Sequence, residues 1–321
     1  MRVVVLQGDT VLDSVNGLPV QLSPEPSAVT IGSFDGLHVG HRKIVGSMIG
    51  HARELGLRSV VVTFEPHPRI VLEGGDGCPV RLLTTFDEKI SQFSSMPIDL
   101  LFVVRFDRQF ASKSSEAFIR EVLVKMLGAR HVTVGYDHGF GKRRSGSEET
   151  LHMLGAECGF GVDVVGEVIV AGSPVSSTRI RGLLEAARIR DANECLGAPY
   201  AISGTVVEGD KLGRTIGFPT VNLALPDRCK MVPAHGVYAA SIEIDGREYS
   251  AMMNIGRRPT VSEDGEVRVE AHIIGFSGDL YGRFLIVRML DFIREERRFA
   301  SIDELRTQLE LDKKEAGFCK K

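Results

Sequence analysis

The sequence predicts two domains of different class: an α/β domain over residues 1–185, then a small antiparallel β-barrel with a C-terminal helix over residues 186–321. Three observations carry this. The first half alternates short apolar runs with segments of helical periodicity. Beyond roughly residue 190 the chain turns to glycine, proline and closely spaced alternating runs. The length, 321 residues, allows two cores at about 100–200 residues per domain.

In the first half, Ala28 to Ile31 is a short apolar run that ends at Gly32. Ile44, Val45, Met48, Ile49, Ala52 and Leu55 then recur at helical spacing, with Arg42, Lys43, Arg53 and Glu54 off that stripe. Ser59 to Phe64, Leu100 to Val104 and His131 to Val134 are further strands. Strands apolar on both faces, separated by helices, predict a doubly covered parallel sheet of Rossmann-like type. In the second half the strands are Val237 to Ile244, Tyr249 to Asn254, Val267 to Ile274 and Phe284 to Phe292, with Asp245-Gly246 as a hairpin turn. Ser301 and Glu304 predict a capping box for a closing helix whose apolar face includes Leu305 and Leu309. The boundary falls between Gly182 and Gly197, in the helical stretch LLEAARIRDANECLG.

Composition narrows the function. The apolar share of 43%, the charged share of 25% and a net charge of -3 are those of a soluble globular protein, with no basic face for nucleic acid. No apolar run approaches the ~18 residues of a membrane span, and Asp9 comes too early for a signal peptide. The expected location is the cytoplasm. The five cysteines show no C-x-x-C pair and no zinc spacing, and so read as reduced thiols.

The first chemical constellation is Gly32 to His41, GSFDGLHVGH, between a strand and a helix. Glycines let the backbone approach a ligand, and the helix start offers free N–H groups and a partial positive charge to an anion. His38 and His41, three apart, fall on one side of the first turn, where two imidazole donors suit the oxygens of a triphosphate. The H-x-G-H signature resembles the nucleotidyltransferase superfamily, which shares its logic with class I aminoacyl-tRNA synthetases. The resemblance implies ATP at Gly32, Phe34, Asp35, Gly36, His38 and His41. It implies a second phosphate motif at Ser176 to Arg181, SSTRIR. There Ser176, Ser177, Thr178, Arg179 and Arg181 would contact the nucleotide. Ser177 or Thr178 is expected to cap the helix, and Arg179 or Arg181 to hold the outer phosphates.

TFEPHP at Thr63 to Pro68 and VGYDHGFGKRRSG at Val134 to Gly146 narrow the match. With SSTRIR they resemble the FMN adenylyltransferase half of prokaryotic FAD synthetases. That resemblance implies an FMN site at Phe64, His67, Pro68, Asp137 and Phe140, with Gly141 beside it. His138 and Gly139 depart from the aromatic and basic residues usual there. Lys142, Arg143 and Arg144 are either a solvated charge run or phosphate contacts.

The chain has no Walker loop: Gly141 to Gly146 has the glycine spacing, but Ser147 stands where lysine is needed. Instead Gly204 to Leu223 reads GTVVEGDKLGRTIGFPTVNL. Gly209, Gly213 and Gly217 permit a tight phosphate-wrapping loop, with Lys211 and Arg214 as cationic donors. Thr220 and Asn222 share one face of an extended segment, two neutral oxygen ligands suited to Mg²⁺. The G-F-P-T-x-N motif resembles the riboflavin kinase domain. The likeness continues through NIGRRPTV from Asn254, VEAHIIGFSGDLYG from Val269 and IREERRFASIDEL from Ile293. It implies Glu270 as the general base toward the ribityl hydroxyl of riboflavin. Gly275 and Ser277 stand where aspartates are common.

Together the motifs imply riboflavin, FMN, FAD and ATP as ligands, Mg²⁺ at both steps, and two reactions in series: riboflavin to FMN, then FMN to FAD with release of pyrophosphate. The catalytic set is Glu270, His38, His41 and Arg179. One alternative is a monofunctional enzyme whose other domain only binds ligand. Another is a flavin or nucleotide sensor, for which a general base would be superfluous.

Overall fold

The computed structural model describes residues 1–74, 77–136, 148–209, 212–257 and 267–318. They form two compact units, Met1–Val175 and Ser176–Lys321.

The first unit is a seven-stranded sheet in the order β2-β1-β5-β4-β3-β6-β7. β1 (Arg2–Gln7) and β2 (Thr10–Asp13) make an antiparallel hairpin at one edge. β3 (Ser27–Ile31), β4 (Arg58–Glu65), β5 (Leu100–Arg105), β6 (Ala129–Gly135) and β7 (Gly161–Val165) run parallel to one another. A two-residue ladder, β8 (Ile169–Val170) with β9 (Ser173–Pro174), stands apart. The strands expected from apolar runs are all present. The edge elements β1, β2 and β7 were not foreseen.

Both faces of the sheet are buried. Ala28, Val61, Leu101 and Val103 pack with Val45, Met48, Ile49 and Ala52 of the helix Val39–Glu54. Val29, Ile31, Val60, Val62, Phe102 and Val104 point the other way, against Phe118, Ile119, Leu123 and Leu151. The period-2 alternation of each strand thus feeds two cores. Leu55 departs from the expected stripe: the helix ends at Glu54, Gly56 turns the chain at φ +62°, and Leu55 is 55% exposed.

The topology also says where a ligand belongs. β3 is flanked by β4 on one side and β6 on the other, so the strand order reverses at β3. The crevice beyond the carboxyl ends of strands at such a reversal is the usual binding place in open α/β sheets. The segment leaving β3 begins at Gly32.

In the second unit β10 (Tyr200–Val207), β11 (Val221–Ala224), β14 (Val267–Ile273), β13 (Arg247–Arg257), β12 (Gly236–Ile244) and β15 (Phe284–Arg294) close into an antiparallel barrel in that spatial order. β10 and β11 were not among the expected strands, since Gly204 interrupts the pattern of the first and the second is only four residues long. Asp245 and Gly246 carry φ of +51° and +77° between β12 and β13, as a two-residue hairpin turn needs. The helix Ile302–Phe318 lays Leu305, Leu309 and Ala316 over Ile216, Phe218, Ala239 and Met252. Arg294 at the end of β15 grips the buried Asp312 of that helix with both arms. The expected capping box is half formed: Ser301 Oγ accepts from Glu304 N at 3.2 Å, but the Glu304 carboxylate accepts from Ala300 N, not from Ser301 N.

Helices Ser177–Glu185 and Ile189–Leu196 belong to this unit. The Asn193 carboxamide donates to Met289 O at 2.9 Å and accepts from Tyr200 N at 2.7 Å, and Leu184 O accepts from Ala234 N. Cys158 and Cys195 are free thiols. Among the described residues no helix is long and apolar enough to cross a membrane.

Candidate active sites

The chain leaves β3 through a tightly fitted loop. Gly32 N donates to Val62 O, and a Cβ on Gly32 would stand 3.0 Å from the Phe34 ring. Phe34, at φ +47° and 1% exposed, is thereby folded under the loop. Asp35 is turned inward as well. Its carboxylate accepts from Leu83 N at 3.1 Å and Thr84 N at 3.0 Å, while Thr84 Oγ1 accepts from Gly36 N. Phe34 and Asp35 therefore fix the loop from below.

His38 is the N-cap of the helix Val39–Glu54, with its Nδ1 accepting from His41 N at 3.3 Å. An accepting Nδ1 leaves the proton of the neutral ring on Nε2, which fixes the tautomer as a donor. The His38 and His41 rings stack with centroids 3.6 Å apart and planes 17° off parallel. Gly40 leaves room for the stack: a Cβ there would press on the His38 ring at 3.1 Å. His41 also meets the edge of Phe34 at 5.3 Å, and its buried Nδ1 has no hydrogen-bond partner among the described residues. Burial, and after it the charges of His38 and Lys89, hold the His41 imidazole well below the ordinary histidine range. The result is a helix N-terminus, a fixed donor and a neutral ring at one place, an arrangement that receives an anion without a competing carboxylate in the first turn.

Phe64, the penultimate residue of β4, stands within an aromatic group containing Phe106, Phe110 and Phe118. His67 caps the helix Pro68–Leu72, with Nδ1 accepting from Arg69 N, and Pro68 takes the first helical position. The SSTRIR segment lies in the second unit. Ser176 is the N-cap there, its Oγ accepting from Arg179 N at 3.2 Å, in place of the expected Ser177 or Thr178. Arg179 and Arg181 are half-buried on that helix, whose Ile180, Leu183 and Leu184 face the core.

The barrel carries a second assembly. Asn222 on β11 stands directly across from Glu270 on β14, and Asn254 on β13 flanks Glu270 from the other side. Residues opposed in register present their side chains to the same face, so Asn222, Glu270 and Asn254 form one row. Thr220 Oγ1 lies 3.5 Å from Glu270 Oε2, and Arg268 Nη1 lies 3.6 Å from Glu270 Oε1. Gly209 fits against this row: a Cβ on it would fall 2.0 Å from Asn222 Nδ2. Gly213 has the Phe218 carbonyl where its Cβ would be, and Gly217 turns at φ +90°. Gly209 and Gly213 thus lie close against the segment that carries Thr220 and Asn222. Arg214 is exposed on the short helix Leu212–Thr215. His272 Nδ1 lies 2.8 Å from Pro219 O and its ring meets Phe218, which fixes the backbone leading into Thr220.

Comparison with known proteins follows the same division. An FAD synthetase family model matches residues 20–179, and a riboflavin kinase family model matches residues 196–318. Bifunctional riboflavin kinase/FMN adenylyltransferases are similar over most of the chain. The Pseudomonas fluorescens protein is 40% identical, covering 88% of this chain and 89% of its own length. That of Escherichia coli K12 is 39% identical, covering 91% and 92%. The chain belongs to the bifunctional riboflavin kinase/FMN adenylyltransferase family.

The Bacillus subtilis member of the family is 38% identical, covering 90% of this chain and 91% of its own length. A crystal structure named as a macrolide-efflux protein from Streptococcus pneumoniae superposes with a TM-score of 0.83 at 34% identity, covering 91% of this chain and 94% of that one. The family motifs thus lie on two separate assemblies. Gly32, Phe34, Asp35, Gly36, His38 and His41 come together in the first unit. Gly209, Thr220, Asn222 and Glu270 come together in the second. Asp137, His138, Gly139, Phe140, Gly141 and the basic run Lys142 to Arg144 lie outside the described residues, as does Lys211. Gly275 turns at φ +73° just past β14, a conformation that favours glycine over aspartate. Two neighbours of the sites had no assigned role in the sequence: Asn254, in the row with Glu270, and Lys89, buried near His41.

Proposed function

We infer that the two assemblies divide the two activities of the family between them: the barrel phosphorylates riboflavin with ATP, and the α/β unit adenylylates the resulting FMN to FAD. The observation that carries this is the pairing of Asn222 with Glu270 in the second unit and of His38 with His41 in the first.

In the barrel, Glu270 takes the proton of the ribityl 5′-hydroxyl as that oxygen attacks the γ-phosphorus of ATP, and ADP leaves. The residues fit a hard divalent ion. The Thr220 hydroxyl and the Asn222 carboxamide oxygen, beside the Glu270 carboxylate, offer only oxygen donors, and among the described residues no cluster of His, Cys, Asp or Glu would hold a metal alone. We assign Mg²⁺ to Thr220 and Asn222. Bound there it would neutralise charge on the phosphates. Gly209, Lys211, Gly213, Arg214 and Gly217 are assigned to the loop that wraps those phosphates.

In the α/β unit, a phosphate oxygen of FMN attacks the α-phosphorus of ATP and pyrophosphate leaves. His38 and His41 donate hydrogen bonds to the oxygens on which charge accumulates, at a helix N-terminus that favours it. Phe64, His67, Pro68, Asp137 and Phe140 are assigned to FMN. A cytoplasmic location suits both cosubstrates.

Incubation with riboflavin, ATP and Mg²⁺, followed by separation of the flavins, tests the reading. FMN followed by FAD is expected. FMN accumulation without FAD would leave a monofunctional kinase, and unchanged riboflavin would overturn the assignment.

A further inference from the structure

The strand that carries Asn222 begins one residue after Thr220. β11 and β14 pair with Val221 opposite Ala271 and Asn222 opposite Glu270. Continued by one residue, that register would set Thr220 opposite His272, but the ladder stops at Val221. Pro219 accounts for the stop, since proline has no N–H to give to a ladder. Thr220 therefore sits just outside the paired strand. Its place relative to Glu270 has to be set by something other than main-chain pairing.

A side chain takes over there. His272 Nδ1 lies 2.8 Å from Pro219 O. A carbonyl oxygen only accepts, so Nδ1 donates, and in the neutral ring Nε2 is left bare. His272 is buried, and its strand is paired with β11 on one side and β13 on the other. It comes two residues after Glu270 on β14, on the same face of that strand. The ring also meets Phe218 at 5.3 Å. Phe218 is buried with Ile216, Ala239, Met252 and Ala316, and Lys313 Nζ stands 5.7 Å from its ring. From the loop side, Phe218 N donates to Gly213 O at 2.8 Å. Phe218 and Pro219 are thus anchored directly before Thr220, whose Oγ1 is 3.5 Å from Glu270 Oε2.

We propose that His272 is a positioning residue for the phosphorylation of riboflavin: its Nδ1–H, given to the Pro219 carbonyl, stands in for the ladder bond that proline forgoes and sets the Thr220 hydroxyl against the Glu270 carboxylate. The proposal rests on the assignment of Thr220 and Glu270 to phosphoryl transfer in the barrel. His272 acts through the backbone before Thr220, so its loss disturbs the geometry of the reacting groups and should lower kcat rather than raise KM for riboflavin. The fold should survive that loss. Pro219 is exposed, so water can take the place of the imidazole donor at its carbonyl.

The test compares the full-length wild type with His272→Phe, His272→Asn and Thr220→Ala. Phenylalanine keeps a ring against Phe218 and loses the donor. Asparagine loses the ring and keeps an N–H donor on Cγ, the carbon that bears Nδ1 in histidine. Rates of FMN formation over a range of riboflavin concentrations, at saturating ATP and Mg²⁺, give kcat and KM, and thermal melts report stability. His272→Phe should lose roughly 10–10² in kcat, with KM and melting temperature near those of the wild type. His272→Asn should recover most of that kcat. FAD formation from supplied FMN should be unchanged in both. A wild-type kcat in His272→Phe, with Thr220→Ala impaired, would overturn the role of His272 alone. So would an equal loss in His272→Asn, since the ring and not the N–H would then be what matters. A wild-type kcat in Thr220→Ala would remove Thr220 from the mechanism, and His272 with it. If the histidine variants do not fold, the nitrogen NMR shifts of the wild-type His272 ring decide: a protonated Nδ1 supports the proposal, and a bare Nδ1 overturns it.

Discussion

Asn222 and Glu270 oppose each other directly across the β11–β14 ladder, although 48 residues separate them in the chain. The register places a carboxamide and a carboxylate on one face of a closed barrel, with Thr220 Oγ1 3.5 Å from the same carboxylate. A site built on paired strands holds its geometry better than one built on loops alone.

Glu270→Gln keeps the shape of that row and removes the base. Phosphorylation of riboflavin should fall by about 10²–10⁴. FAD formation from supplied FMN should be unaltered. Both rates come from separating flavins over time, and a wild-type rate of FMN formation would remove Glu270 from the mechanism.

Gly209→Ala tests how the loop meets the strand. The added Cβ would fall 2.0 Å from Asn222 Nδ2, the movable end of a side chain, so the barrel should fold with Asn222 displaced. Misplacement by about 1 Å costs on the order of 10² in rate. The variant should melt near the wild-type temperature and lose phosphorylation by that order, with adenylylation intact.

Gly40→Ala separates stability from activity in the other unit. Alanine is favoured over glycine in a helix by about 1 kcal/mol, yet its Cβ would press on the His38 ring at 3.1 Å. The melting temperature should hold or rise while FAD formation falls. Full activity in this variant would show that the His38 ring tolerates displacement.

Truncation tests modularity. Residues 186–321 retain the kinase assembly but lose the helix Ser177–Glu185, whose Leu183 and Leu184 are buried and whose Leu184 O accepts from Ala234 N. A fragment starting at Ser176 should therefore melt higher than one starting at 186, and both should phosphorylate riboflavin. Kinase activity absent from a cooperatively melting 176–321 fragment would show that the first unit completes the site.

Much of this was legible in the sequence because it is local. Apolar runs located β3 to β6, Asp245-Gly246 located a hairpin, and the glycine-histidine spacing located the helix start that carries His38 and His41. What escaped depends on contacts distant in sequence. Asp35 reaches Leu83 and Thr84, Asn254 pairs with Glu270, and Phe93 packs edge-on against Phe34. β10 and β11 escaped because Gly204 breaks the alternation of one and the other is only four residues long. Helix capping at Ser176 could not be told from capping at Ser177 by residue type, since either side chain can accept the amide hydrogen bond.

The central claim, that one chain holds two separately addressable reaction sites, is tested most directly by complementation. Glu270→Gln and His41→Ala are each incubated with riboflavin, ATP and Mg²⁺, alone and mixed, and the flavins are separated. Glu270→Gln alone should leave riboflavin, His41→Ala alone should stop at FMN, and the mixture should make FAD. Either variant producing FAD from riboflavin by itself at the wild-type rate would contradict the account.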